Sequence, residues 1–502
     1  MHRLTAVFAV VCLALNGFAA LTDAAETAAR RQRPPNVVFI VADDLGYSEL
    51  GCFGQEKIRT PRIDELAAEG MRLTNHYCGN PVCATSRCVL MTGKHSGHAT
   101  IRDNRGMARM PGDRPEIPFV YGGQEPIPDD EVTVAELFKA QGYATAAFGK
   151  WGLGATGNSG DPLAQGFDHF VGYQCQAHAH NFYPYYLVRD HEHVPLPGNN
   201  RDLTGETYAP DVYTEAALEF IRGHQDEPFF VYYPTIVPHL ALQVPEDSLN
   251  EYKGKWDDPA YEGGKGYLPH PHPRAAYAAM VTRMDRDIGR LMDLVSELGL
   301  KEETIFVFTS DNGPTYDRLG GSDSEFFASA GPLRGLKGSI YEGGIRVPLV
   351  VRWPGHVPAG SESDLPTAFY DWMPTLMDLI GKPETTPASS DGLSFASTLL
   401  GRGDQQSPHE YLVWEFPGYG GQQAVRMGDW KGVRQNLLVK NAKQRNTELQ
   451  IELYNLKEDV GESRDVAAEH PEVVAEIAKI MRAEHTVSKL FPFPPLDALA
   501  AE

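Results

Sequence analysis

Val37-Val38-Phe39-Ile40-Val41-Ala42-Asp43-Asp44 is an unbroken apolar run that ends on two carboxylates. A short apolar run without alternation reads as a strand buried on both faces, the habit of parallel sheets. Three more runs have the same form. Tyr143 to Phe148 leads to Lys150, Pro228 to Tyr233 leads to His239, and Ile305-Phe306-Val307-Phe308 leads to Asp311-Asn312. Ligand sites in such sheets lie at the carboxyl ends of the strands. The four runs therefore predict one site, whichever family the chain belongs to. Asp43, Asp44, Asp311 and Asn312 would meet there, and three unpaired carboxylates would be costly. A hard divalent cation is the expected remedy, because every ligand offered is an oxygen.

The remaining pattern fits an α/β sheet, with strands alternating with helices. Tyr277, Met280, Val281, Met284, Ile288, Leu291, Met292, Val295 and Leu298 repeat at helical spacing, and Gly299 suits the position after the helix. Arg346 to Trp353 reads as a further strand and Ala368 to Ile380 as a helix. After Gly381 the composition changes. Lys382 to Ser390 reads as a linker or surface loop. Short strands follow at Glu410–Phe416, Gln423–Met427, Trp430–Arg434 and Glu452–Asn455, then a helix from Pro471 to Thr486. The length favours two domains, expected as 35–385 and 386–502.

The formal net charge of −22 argues against a nucleic-acid partner, which would want a basic stripe. For an anionic substrate, lysines and arginines must make the pocket positive locally. Arg3, the apolar stretch Leu4 to Leu15 and small residues through Ala25 read as a secretory signal peptide, residues 1–25. That stretch is too short to span a bilayer. The expectation is an exported protein, periplasmic or extracellular, without a stable membrane anchor. Apart from Cys12 and Cys83, the cysteines are Cys52, Cys78, Cys88 and Cys175. They would form two disulfides in one of three pairings, or stay reduced and buried.

Cys83 is anomalous, since a thiolate is a poor ligand for calcium or magnesium. Cys83-Ala84-Thr85-Ser86-Arg87, followed by Cys88-Val89-Leu90-Met91-Thr92-Gly93, resembles the signature of the type I sulfatases, in their bacterial arylsulfatase-like branch. The resemblance runs on through Gly142-Tyr143-Ala144-Thr145, Gly149-Lys150-Trp151 and Val237-Pro238-His239. It continues in Thr309-Ser310-Asp311-Asn312-Gly313-Pro314, Leu333-Arg334-Gly335-Leu336-Lys337-Gly338 and Tyr341-Glu342-Gly343-Gly344-Ile345-Arg346-Val347-Pro348. It implies an alkaline phosphatase-like sandwich with a large, mostly parallel central sheet and a small C-terminal antiparallel sheet-and-helix domain. It implies that Cys83 becomes formylglycine, made by a formylglycine-generating or anaerobic sulfatase-maturing enzyme. One Ca2+, or as second choice Mg2+, would be held by Asp43, Asp44, Asp311, Asn312 and the modified residue 83. The hydrate at residue 83 would attack sulfur, with Arg87 one helical turn away. Lys150, Lys337 and His239 match family residues that bind sulfate or protonate the leaving oxygen.

Two departures stand out. Thr85 replaces the family's usual proline, and Gly152 replaces a histidine that many members carry two residues after the motif lysine. Relatives sharing the glycine resemble this chain at Gly172-Tyr173-Gln174-Cys175-Gln176-Ala177-His178-Ala179-His180-Asn181. His180 is therefore the expected base, its ring in the space above Gly152, in preference to His178. His95, His98, Arg102 and Asn104 are candidate pocket residues, and His191 and His193 could form another wall. The expected activity is hydrolysis of a sulfated saccharide or aryl sulfate. The alternatives are phosphodiester or phosphonate hydrolysis within the same superfamily, and a non-catalytic binder of sulfated glycans.

Overall fold

The computed structural model describes residues 33–264, 266–441 and 443–500. The leader expected over residues 1–25 lies outside the described residues. A ten-stranded mixed sheet forms the centre. Its order is Ser361–Ser363, Met71–Leu73, Leu349–Arg352, Thr304–Ser310, Asn36–Ala42, Phe229–Pro234, Ala144–Lys150, His169–Tyr173, Tyr186–Arg189 and Glu192–Pro195. The four strands expected from the apolar runs are consecutive neighbours and mutually parallel.

The Asn36–Ala42 strand explains its own composition. Val37, Phe39 and Val41 enter a core on one face, while Val38, Ile40 and Ala42 enter a second core on the other. A strand covered on both sides has no solvent face, so alternation disappears. One face is covered by the Cys83–Thr92 and Trp372–Leu379 helices, the other by Ala209–Gly223 and the 25-residue helix Pro273–Glu297. Register keeps the strand ends level: Ala42 pairs with Ser310, and Val41 with Pro234. Everything just past those residues is delivered to one place.

A smaller antiparallel sheet, Leu412–Phe416, Gln422–Met427, Trp430–Arg434 and Glu452–Asn455, packs the Pro471–Ala483 helix through Ile477 and Met481. The expected strand at Arg346–Trp353 is shorter, Leu349–Arg352, behind a one-turn helix Glu342–Ile345. Pro348 has no N–H for the ladder, so pairing starts after it. The Lys382–Ser390 stretch does not hang free. The Ser390 hydroxyl and the Asp391 N–H both donate to the Gly93 carbonyl, at 3.1 and 2.8 Å. The five described cysteines are all free, so the disulfide option falls; Cys78, Cys88 and Cys175 are buried as expected for reduced thiols, while Cys52 is half-buried.

The small sheet is tied to the large unit by a buried charge trio. Lys431 Nζ lies 2.9 Å from Glu342 Oε1 and 2.9 Å from Glu462 Oε1, and the Tyr77 hydroxyl donates to Glu342 Oε2 at 2.7 Å. Methionine at 431 would keep the stem volume and take the ammonium from both carboxylates. Among the described residues this leaves Glu342 the Arg346 guanidinium at 3.5 Å and Glu462 only the Glu342 N–H. Lys431→Met is expected to lower the unfolding free energy by about 3–5 kcal/mol in urea denaturation; an unchanged midpoint would show that the trio is not a structural tie.

Candidate active site

The two central strand ends are stitched together before any side chain acts. The Asp311 N–H donates to the Ala42 carbonyl at 3.0 Å, and the Asp44 N–H donates to Asp311 Oδ1 at 3.1 Å. Asp44 has φ +67°, a left-handed turn that aspartate tolerates better than most residues. Cys83 is the first residue of its helix, so the donor-rich N-terminus opens on the same point. Its Sγ lies 3.3 Å from Asp43 Oδ1, 3.9 Å from Asp44 Oδ1 and 3.4 Å from Lys337 Nζ. Burial pushes the Cys83 thiol well up, Asp311 and Asp43 add to it, and Lys150 and Lys337 do not compensate. At neutral pH the group is a thiol, a weak nucleophile and a weak metal ligand.

The carboxylates are not unpaired, which corrects the argument from the strand ends alone. Asp43 Oδ2 meets Lys150 Nζ at 2.6 Å, and Asp44 Oδ1 meets Lys337 Nζ at 2.8 Å. Asp311 Oδ2 receives both Nε and Nη2 of Arg87, at 3.1 and 2.8 Å. All six side chains are buried. Burial disfavours the Lys337 ammonium, but the Asp44 and Asp43 carboxylates outweigh it and hold the group well above the usual lysine range. Three negative groups thus face three positive ones.

A cation still fits, on separate grounds. Asn312 Nδ2 donates to Asp44 Oδ1 at 2.7 Å and to the Gly313 carbonyl at 2.9 Å. Its Oδ1 is buried with no hydrogen-bond partner among the described residues. His239 Nδ1 donates to the Leu240 carbonyl at 2.5 Å, so in the neutral ring the Nε2 lone pair faces Asp44 Oδ2 at 3.5 Å. Asp44 Oδ2 already accepts from Lys337 Nζ at 2.9 Å, so among the described residues Asn312 Oδ1 is the acceptor left open for a cation. Ligand atoms of Asp43, Asp44, Cys83 and His239 all lie within 4.8 Å of one another. With Asn312 Oδ1, the donors are mostly hard oxygens.

The histidines divide sharply. His180 stacks on His239, with ring centroids 4.4 Å apart and planes at 16°. Burial pushes both well below the usual imidazole range, and Lys150 and Lys337 add to it. His178 is instead caged by Tyr121, Tyr173 and Tyr186. The expected seat above Gly152 is taken, however. A Cβ on Gly152 would lie 2.2 Å from Gln176 Nε2, so Gln176, not His180, fills that space. Gln176 is buried, and both its amide atoms lack partners among the described residues. It lay inside the quoted motif, and the glycine opposite was the signal that a neighbouring side chain would fill the gap.

His95 and His98 lie beyond the far end of the Cys83–Thr92 helix and face Asp391 and Glu484. His95 Nδ1 accepts the Gly97 N–H at 3.1 Å, so its Nε2 proton points at Glu484 and no lone pair is left for a metal. Arg102 is spent on the Ala99 and Thr486 carbonyls. Asn104 alone of that group reaches the site, its Oδ1 accepting the Ala84 N–H at 2.9 Å. His191 and His193 pair with Asp161 and Asp113.

A profile described as Sulfatase matches residues 35–382, and one described as N-sulphoglucosamine sulphohydrolase, C-terminal, matches 336–487. Arylsulfatase A of Homo sapiens is 32% identical over 511 aligned residues, covering 94% of this chain and 91% of that protein. An N-acetylgalactosamine-6-O-sulfatase of Bacteroides thetaiotaomicron is 28% identical, covering 91% and 94%. The crystal structure of Ps i-CgsB in complex with k-i-k-neocarrahexaose superposes with a TM-score of 0.69 at 26% identity, covering 90% of this chain and 92% of that one.

The unsatisfied amide of Gln176 makes a distinctive prediction. Leucine has nearly the same volume and leaves no orphaned polar atom. Gln176→Leu is expected to keep or raise the melting temperature, because no internal hydrogen bond is lost, while kcat/KM falls about tenfold or more. A fall in melting temperature with unchanged turnover would make Gln176 a structural residue.

Proposed function

The chain belongs to the sulfatase family and is a sulfuric ester hydrolase; from that premise we propose that it removes sulfate from sulfated saccharides, using a formylglycine formed from Cys83 and one bound calcium ion. The observation that carries this reading is the convergence of Arg87, Lys150 and Lys337 on three carboxylates around Cys83. Those cations can be shared with the oxygens of a sulfate ester as it enters. The saccharide class is favoured by two relatives, one named for N-acetylgalactosamine-6-O-sulfate chemistry and one solved with k-i-k-neocarrahexaose.

Asp43, Asp44, Asp311, Asn312 and the modified residue 83 would hold the calcium, with magnesium the second choice. The bound ion would add positive charge against the sulfate oxygens. Conversion of Cys83 is supported by its chemistry: a neutral thiol among oxygen donors is the wrong group for the position it holds. The conversion calls for a formylglycine-generating or anaerobic sulfatase-maturing enzyme. Lys150 and Lys337 neutralise and orient the sulfate, and Arg87 fixes Asp311 while facing the same point. His239 and His180 are neutral imidazoles, able to receive a proton at Nε2 of His239 and on the His180 ring. His239 would have to take up a proton at Nε2 before passing it to the leaving oxygen, and His180 would receive the proton of the residue 83 hydroxyl that expels sulfate. The leader expected at residues 1–25 would export the protein to the periplasm or beyond.

Two experiments test this. A desulfation screen against defined sulfated saccharides, an aryl sulfate and matched phosphodiesters and phosphonates is expected to release sulfate from at least one saccharide. Higher kcat/KM on a phosphodiester or phosphonate would overturn the reading in favour of the superfamily alternative. Mass spectrometry of the peptide carrying Cys83 is expected to show an aldehyde in place of the thiol in active enzyme, and Cys83→Ala to abolish turnover with the fold intact. Fully active protein bearing only the free thiol would refute the mechanism.

A further inference from the structure

The small C-terminal sheet reaches into the active site at one point. The loop joining Leu412–Phe416 to Gln422–Met427 carries Tyr419, which is 61% exposed and yet tightly fixed. Its ring lies parallel to Tyr316, with centroids 6.2 Å apart and planes at 19°, and the two hydroxyls hydrogen-bond. Phe416 supports it from behind at 5.5 Å. In front, Gly338 forms its seat: a Cβ there would lie 3.1 Å from the Tyr419 ring carbons. Tyr419 itself has φ +49°, an unfavourable backbone for a bulky residue that persists only where surroundings impose it.

Gly338 follows Lys337 directly, which places this platform beside the chemistry. Lys337 Nζ is 5.9 Å from the Tyr316 ring centroid and 3.4 Å from Cys83 Sγ. The Tyr316 ring thus borders the same ammonium that faces Cys83. Tyr267 lies 6.1 Å from the His180 ring. A ring fixed by these contacts and still 61% exposed has given up its freedom without burying most of its surface. Tyrosine held this way offers flat, amphipathic contact area at little further entropic cost. The C–H face of a pyranose is the matching surface, and its hydroxyls can meet the phenol oxygens.

We propose that Tyr419 and Tyr316 form a saccharide subsite, stacking on a sugar ring of the substrate and so coupling the C-terminal sheet to substrate choice. This rests on the saccharide reading above. The test is steady-state desulfation of a sulfated saccharide by wild type, Tyr419→Ala and Tyr419→Trp, with inorganic sulfate as competitive inhibitor in each. Sulfate has no ring and reports only the charged centre. Tyr419→Ala is expected to raise KM about tenfold with kcat nearly unchanged and the sulfate inhibition constant unmoved, and Tyr419→Trp to keep KM near wild type. An unchanged KM in Tyr419→Ala would overturn the subsite, as would a parallel rise in the sulfate constant, which would mean that Lys337 had been displaced. No turnover of any sulfated saccharide by the wild type would overturn the substrate reading itself, independently of Tyr419.

Discussion

Three carboxylates at the ends of two neighbouring strands, each held by its own cation, are the constraint on which the rest of this molecule depends. Asp43 takes Lys150 from the adjacent sheet region, Asp44 takes Lys337 from a distant loop, and Asp311 takes Arg87 from the Cys83 helix. Each pair ties a different element to the strand ends. Breaking a buried pair by deleting one partner is far more costly than never having built it, so the pairs lock the site's architecture. They also answer the question raised by a chain of net charge −22. The surface is acidic, but the pocket holds as many positive as negative groups. Any bound divalent ion then makes it positive, and an anion is the natural guest.

The same arrangement explains why residue 83 stands out. The helix start, two carboxylate oxygens and an ammonium all converge on a thiol that burial keeps protonated. An oxygen nucleophile would use every one of these contacts, whereas a thiol uses them poorly. Around this centre the neutral imidazoles of His180 and His239 stack face to face, and the Gln176 amide lies over Gly152 with its polar atoms unsatisfied. A buried polar group without a partner is costly, and among the described residues nothing satisfies the Gln176 amide.

Much of this was legible in the sequence, for physical reasons. An apolar run without alternation means two buried faces, and the residues just past it must lie at a strand end; that placed Asp43, Asp44, Lys150, His239, Asp311 and Asn312 together. The one-to-one charge pairing was not legible, because Asp44 and Lys337 are joined only by tertiary structure. His95 and His98 fall outside the site because the helix between is ten residues long and carries the chain about 15 Å from Cys83. Gln176 escaped notice because a glutamine beside two histidines draws no attention until the space over Gly152 is seen. Tyr419 lies 82 residues after Lys337 in the chain, and nothing in its local pattern places it near that lysine.

The claim that the charged groups cancel until a divalent ion binds is open to one direct measurement. Calorimetric titration of inorganic sulfate into the protein, with calcium present and after chelation, compares the pocket in its two charge states. Charge pairing predicts sulfate binding at least about tenfold tighter with calcium, a difference of about 1.4 kcal/mol. Equal affinity in the two conditions would contradict it, and would mean that Arg87, Lys150 and Lys337 bind the anion without help from a metal.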